Sequence, residues 1–153
     1  MGKVKSYAAL QSDTPLESYD IERRKLNPED VNIEILYCGV CHSDIHMARN
    51  EWNNSSIYPM VPGHEIIGVV KEVGRGVTKF KMGDAVGVGV YVDSCEKCGN
   101  CNSGKDHYCE RGIVLTYNSY EYDSKKITYG GYSKSIVVKE NYVINLPKEM
   151  DME

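Results

Sequence analysis

Val31-Asn32-Ile33-Glu34-Ile35 decides the fold class. Apolar and polar side chains alternate strictly, the period-two pattern of a strand with one face buried and the other wet. Val31, Ile33 and Ile35 are assigned to the core on that basis. Asn27-Pro28-Glu29-Asp30 supplies the turn that feeds the chain into this strand. Working outward, Glu65–Val73 and Ala85–Val92 are rich in valine and isoleucine and bounded by glycine, which predicts two more strands. Gly74-Arg75-Gly76 and Met82-Gly83-Asp84 are turn signals between them. Gly130-Gly131 leads into a last strand, Ser133–Val138, while Val4–Leu10 and Tyr19–Arg23 are weaker strand candidates. Asn118–Tyr129 is polar and tyrosine-rich and reads as an exposed loop or hairpin. Ser43–Arg49 suits one or two helical turns, with Ser43 as a hydroxyl cap. Many short strands separated by turns predict a mostly β chain with short helices, closed as a barrel or packed as a sandwich.

The length of 153 residues suits one domain, and 41% hydrophobic with 26% charged residues is the balance of a soluble globular protein. Eighteen basic against 22 acidic residues leave a formal charge of −4, which argues against a nucleic-acid partner held by phosphate neutralisation. No apolar run approaches the roughly 18 residues that a membrane helix needs, so no membrane partner is expected. Met1-Gly2-Lys3-Val4-Lys5 has no apolar stretch behind its lysines, and no secretory signal is read there. The six cysteines fall in two groups, Cys38 with Cys41 and Cys95, Cys98, Cys101 with Cys109. In a reducing cytoplasm, the expected location, clustered cysteines are more often metal ligands than disulfides.

From Asp93 to about Gly112 neither a helical nor a strand period survives, so order there must come from something other than a core. The spacing Cys95-x-x-Cys98-x-x-Cys101-x7-Cys109 supplies it. Four soft thiolates on a short loop can close a tetrahedron around Zn²⁺ at about 2.3 Å per bond. Four protein ligands leave no open position, so such a site is structural and orders the loop by metal binding. Disulfides or an iron–sulfur cluster are the competing readings of the same spacing. A second constellation is Cys38-Gly39-Val40-Cys41-His42-Ser43-Asp44-Ile45-His46, followed by Pro62-Gly63-His64-Glu65. By itself Cys38-x-x-Cys41 could be a redox dithiol or half of a zinc knuckle, Cys38 fits a buried free cysteine of the strand, and a single histidine such as His64 is more often structural than a ligand.

In this order the residues resemble the zinc-dependent medium-chain alcohol dehydrogenases, within them the cinnamyl-alcohol-dehydrogenase-like branch. The matching text is CGVCHSDIH (Cys38–His46), Asn50-Glu51-Trp52, YPMVPGHEIIG (Tyr58–Gly68), Gly83-Asp84-x-Val86-Gly87-Val88-Gly89, Ser94–Cys109 and YGGYS (Tyr129–Ser133). The resemblance implies a GroES-like, partly open β-barrel with a zinc-binding lobe at about residues 93–112. It implies that Cys41 and His64 are ligands of a catalytic zinc, that Glu65 enters its coordination shell transiently, and that Cys38 is a non-ligand. Asp44 would be the carboxylate behind the ligand histidine, a kind of partner that fixes ring orientation. Ser43 would contact the substrate oxygen, His46 would end the proton relay at solvent, His42 would lie near the cofactor pyrophosphate and Trp52 would line the substrate pocket. Plainer roles stand beside these: Ser43 as a helix cap, Trp52 as core, His42 as a solvated surface residue. The implied reaction is zinc-assisted hydride transfer between a small primary alcohol or aldehyde and NADP(H) or NAD(H), with NADP the preference of this branch. A homodimer or homotetramer is implied for the full-length enzyme.

Gly74-Arg75-Gly76 and Gly87-Val88-Gly89 are the Gly-x-Gly triplets, and neither continues to a third glycine at the start of a helix. No cysteine follows Cys109, and the family's third catalytic-zinc ligand, a cysteine just beyond this region, is absent too. The expectation is therefore that residues 1–153 form the N-terminal part of the catalytic domain, that the Rossmann cofactor domain is absent from this chain, and that the chain by itself is inactive. Two other functions compete. A stand-alone zinc-binding interaction module would use the four-cysteine loop but leave His64-Glu65 unexplained, whereas polyol-, threonine- or formaldehyde-type dehydrogenases share the zinc logic.

Overall fold

The computed structural model describes residues 3–122, 124–147 and 149–150. Among the described residues, nine strands and two short α-helices run in the order β1 (Lys3–Ala8), β2 (Glu17–Glu22), β3 (Asp30–Cys38), α1 (His42–Ala48), β4 (Ile66–Val73), β5 (Ala85–Val88), β6 (Tyr91–Asp93), α2 (Gly99–Asn102), β7 (Val114–Leu115), β8 (Ser135–Lys139) and β9 (Val143–Asn145). No helix among the described residues is long and apolar enough to cross a membrane.

The main sheet is antiparallel with five strands in the order β8-β3-β4-β5-β9. Its two edge strands are consecutive in sequence, separated only by the 3-10 turn Glu140–Tyr142. Four residue steps from Lys139 to Val143 reach at most about 14 Å. Crossing a flat five-stranded sheet takes four spacings of about 4.8 Å, roughly 19 Å in total. The sheet must therefore curl until its edges approach each other, which makes it a partly open barrel. Val31, Ile33, Val70, Val86, Ile136 and Val143 come from all five strands and are buried in one apolar cluster on the concave side.

The alternation around residue 33 translates directly into this packing: Val31 and Ile33 have no exposed surface and Ile35 is buried with them. β1 and β2, the weaker candidates, pair with each other as a hairpin that buries Ala8 and Ile21 beside Val61. Two expectations are corrected. Ala85–Val92 is not one strand but two, β5 in the main sheet and β6 paired with β7, because the chain breaks pairing at Gly89-Val90. The cap of α1 is Cys41, and Ser43 lies inside the helix. β9 carried no clear period and is set by pairing with β5, with Val143 opposite Val88. The Asn118–Tyr129 segment is a loop closed by one bridge between Tyr120 and Ile127.

The segment leading into β8 has little apolar content and is held by a guanidinium. Arg23 donates from Nε to the Ser135 carbonyl (2.9 Å), from Nη1 to the Tyr129 carbonyl (2.5 Å), and from Nη2 to the Gly130 carbonyl (3.0 Å) and Ser133 Oγ (2.7 Å). A planar fork with five donors can serve four acceptors at once, whereas an ammonium on a flexible stem cannot. Arg23→Lys is expected to lower unfolding free energy by about 2 kcal/mol, seen as a lower denaturant midpoint at unchanged slope. An unchanged midpoint would show that the 129–135 segment is held by other contacts.

Candidate metal centres

The four-cysteine lobe grows out of the β6–β7 pair. Cys95 follows β6, Cys98 caps the single turn of α2, Cys101 lies on α2, and the 3-10 turn Asp106–Tyr108 delivers Cys109. The four sulfurs lie within 4.8 Å of one another, with Cys98 and Cys101 at 3.4 Å and Cys95 and Cys101 at 3.9 Å. Four metal–sulfur bonds of about 2.3 Å give a tetrahedron whose edges are about 3.8 Å, so these separations fit one ion. They are far beyond a disulfide bond of about 2.05 Å, and all six cysteines are free. A multi-iron cluster would hold its cysteines farther apart, around its own sulfides.

Backbone amides aim at the same sulfurs: Cys95 N–H at Cys109 Sγ (3.4 Å), Cys98 N–H at Cys95 Sγ (3.4 Å) and Cys101 N–H at Cys98 Sγ (3.5 Å). The Cys101 amide lowers the Cys98 thiol below its ordinary value. Burial works to raise the Cys109 thiol, but the Cys95 and Arg111 amides outweigh it and bring it down to about 6. Thiolates crowded this closely repel unless a cation sits between them, so the donor set fits a divalent metal. Lys139 of β8 ties the lobe to the barrel, donating to Asp93 Oδ1 (2.7 Å) and Glu96 Oε2 (3.0 Å).

The second centre joins two segments. Cys41, at the start of α1, and His64-Glu65, just before β4, bring a sulfur, a ring nitrogen and a carboxylate oxygen within 4.8 Å of one another. Buried Asp44 links the segments: Oδ2 accepts the Cys41 N–H at 3.0 Å, and Oδ1 accepts the Gly63 N–H at 3.0 Å and lies 3.3 Å from His64 Nδ1. With Nδ1 engaged, Nε2 is the nitrogen left to ligate. Gly63 has φ +100°, and a Cβ there would fall 2.7 Å from both Cys38 Sγ and Tyr132 Cδ1, so only glycine fits. A thiol, an imidazole and a carboxylate are a donor set that Zn²⁺ accepts while keeping a coordination position for substrate.

The neighbours predicted from sequence cluster here. Ser43 Oγ donates to Cys41 Sγ at 3.1 Å. His46 Nδ1 lies 2.5 Å from Glu51 Oε2, and its ring stacks between His42 (4.8 Å) and Trp52 (5.4 Å). Trp52 is 44% exposed and is therefore not core. No hydrogen bond joins Ser43 directly to His46 among the described residues. Cys38 stands outside both metal groups, and burial pushes its thiol up to about 11, which suits neither a ligand nor a redox dithiol. Three contacts were not legible beforehand: Glu51 on His46, Tyr132 on Asp44 at 3.2 Å, and Tyr117 stacked on His64 at 5.8 Å. Glu51 and Tyr132 stood inside quoted motifs, but nothing in their spacing assigned them partners.

Four thiolates outbind one thiolate, one imidazole and one exposed carboxylate. Metal analysis after gel filtration is expected to find about one zinc per chain, lost in Cys98→Ser and retained in Cys41→Ser. Two equally tight zinc ions would contradict the difference drawn between the centres.

The pattern of the family described as the alcohol dehydrogenase GroES-like domain matches residues 27–148. The chain is 51% identical over 146 residues to probable cinnamyl alcohol dehydrogenase 3 of Oryza sativa subsp. japonica, covering 95% of this chain and 39% of the relative. It is 49% identical over 154 residues to NADP-dependent alcohol dehydrogenase C 1 of Mycolicibacterium smegmatis, covering 100% of this chain and 44% of that one. Among solved structures, CAD from Helicobacter pylori complexed with NADP(H) superposes with a TM-score of 0.93 at 46% identity, over 99% of this chain and 43% of that chain. The chain thus spans about two fifths of the length of the curated relatives it matches. With the family pattern running through the curled sheet, the four-cysteine lobe and the Cys41/His64 centre alike, the chain belongs to the alcohol dehydrogenase GroES-like domain family.

Proposed function

We propose that this chain is the zinc-binding, substrate-activating part of an NADP-dependent alcohol dehydrogenase that interconverts primary alcohols and aldehydes. The observation that carries the reading is the convergence of Cys41, His64 and Glu65 donors within 4.8 Å, beside Ser43 and His46. Residues 1–153 form the N-terminal part of the catalytic domain, with the structural lobe at about 93–112. The nicotinamide nucleotide is held by the length that the relatives have outside this span. A relative named NADP-dependent and a related structure holding NADP(H) support that choice of nucleotide. A reducing, cytoplasmic location suits six free thiols, and the full-length protein assembles as a homodimer or homotetramer.

When bound, zinc supplies Lewis acidity toward the substrate oxygen and the nicotinamide supplies the hydride acceptor. The chain's own residues manage position and proton. Asp44 holds His64 by Nδ1, so the imidazole cannot rotate away from Cys41. Ser43 Oγ, beside Cys41 Sγ, would take the alcohol proton while giving up its own, which a bridging hydroxyl or water would carry to His46 and on to solvent, with Glu51 orienting the His46 ring. Oxidation of the alcohol to the aldehyde would release one hydride, for which a bound nicotinamide would be the acceptor, and one proton to solvent. Trp52, stacked on His46, would border the substrate pocket, and His42 at the start of α1 would contact the nucleotide's pyrophosphate. Glu65, exposed, serves as an exchangeable third donor.

Alcohol-dependent reduction of NADP⁺ tests this in the protein extended to the length of its relatives. Wild type is expected to turn over primary alcohols, Cys41→Ser to fall to background, and His46→Gln to lose about 10²-fold in kcat. The 153-residue chain alone is expected to be silent. Wild-type turnover that survives Cys41→Ser would refute the proposal.

A further inference from the structure

Among the contacts on Asp44, three come from the metal-ligand segments themselves: the Cys41 N–H, the Gly63 N–H and the His64 ring. Two tyrosines outside those segments reach it as well: Tyr117, and from 88 residues downstream Tyr132, whose hydroxyl donates to Oδ2 at 3.2 Å. Tyr132 comes from a segment clamped directly against the histidine loop. Gly130 N–H donates to the Val61 carbonyl (2.7 Å), Tyr132 N–H to the Pro62 carbonyl (3.0 Å) and Gly131 N–H to the Gly63 carbonyl (2.8 Å). The approach is close enough that a Cβ on Gly130 would fall 2.3 Å from the Pro62 carbonyl oxygen and one on Gly131 2.6 Å from Cys38 Sγ. On its other side the segment is fixed to the hairpin, since the Tyr7 N–H donates to the Tyr132 carbonyl at 2.8 Å and Ser133 bridges to Ser6. The phenol ring packs against Gly63 and the Ala8–Ile21–Val61 cluster.

A carboxylate bonded only to the two ligand segments would move with whichever moved. The Tyr132 hydroxyl ties it to the β framework instead. We propose that Tyr132 is a positioning residue of the Cys41/His64 centre, fixing the Asp44 carboxylate so that one oxygen stays on Cys41 and the other on Gly63 and His64. It touches neither substrate nor metal and acts through Asp44. The proposal rests on the reading that Cys41 and His64 hold the metal.

Tyr132→Phe keeps the ring and its packing and removes only the donor. Co²⁺ titration of the chain separates the two centres, because the single-thiolate absorption lost in Cys41→Ser reports this one and the four-thiolate spectrum reports the lobe. Tyr132→Phe is expected to weaken Co²⁺ at the Cys41 centre by about tenfold and leave the lobe unchanged. In the metal-free chain, the His64 imidazole nitrogen resonances are expected to shift as the Nδ1 contact loosens. Unchanged affinity with unchanged His64 resonances would overturn the proposal, and so would equal weakening at both centres, the mark of a general loss of structure. A wild-type chain with no Cys41-dependent Co²⁺ signal would remove the underlying reading. The metal-free His64 resonances would then decide the role of Tyr132 alone, and no shift would overturn it.

Discussion

Asp44 is the group on which the candidate site depends. A buried carboxylate is costly unless its lone pairs are filled, and here both oxygens are engaged. Its donors come from the start of α1, from the loop before β4 and from the segment before β8, so satisfying one charge draws three distant stretches to one point. Cys41 and His64 become neighbours as a consequence. Neither stretch would hold its ligand geometry unaided, because α1 is only seven residues long and the 61–64 loop has no regular structure.

The barrel gives that point a fixed frame. Antiparallel pairing of β3 with β4 places the end of β3 next to the start of β4, where Cys38 pairs with Ile66. α1 leaves from one and the histidine loop enters the other. The four-cysteine lobe solves a different problem in the same chain. It has hardly any apolar surface of its own, with no buried residue in α2, so a metal held by the four thiols would substitute for a core, and Lys139 ties the lobe to the sheet. One chain thus carries a four-thiol group suited to close around an ion and a three-donor group that would leave a coordination position open.

Much of this was legible in the residues. The alternation at Val31–Ile35 specified a half-buried strand because a strand's period is fixed by backbone geometry, and the Cys-x-x-Cys spacings pointed to thiols that converge on one point, as they do. Family resemblance, rather than spacing, suggested pairing Cys41 with His64. What stayed hidden depended on long-range contacts. Gly89-Val90 ends one strand and starts another only because β6 finds β7 as a partner, and β9 is a strand only because the curl offers β5 an edge. Ser43 read as a cap because its type favours that position, yet the Asp44 carboxylate already takes the Cys41 amide and moves the cap two residues earlier. Tyr132 and Tyr117 could not be assigned to the site at all, since a tyrosine in a polar stretch carries no mark of what its hydroxyl or ring will meet.

Anomalous diffraction at the zinc absorption edge, from crystals soaked in excess zinc, bears most directly on the whole account. Two peaks per chain are predicted, one among the sulfurs of Cys95, Cys98, Cys101 and Cys109 and one between Cys41 and His64. A second peak elsewhere, or Cys41 and His64 side chains too far apart to share an ion, would contradict it.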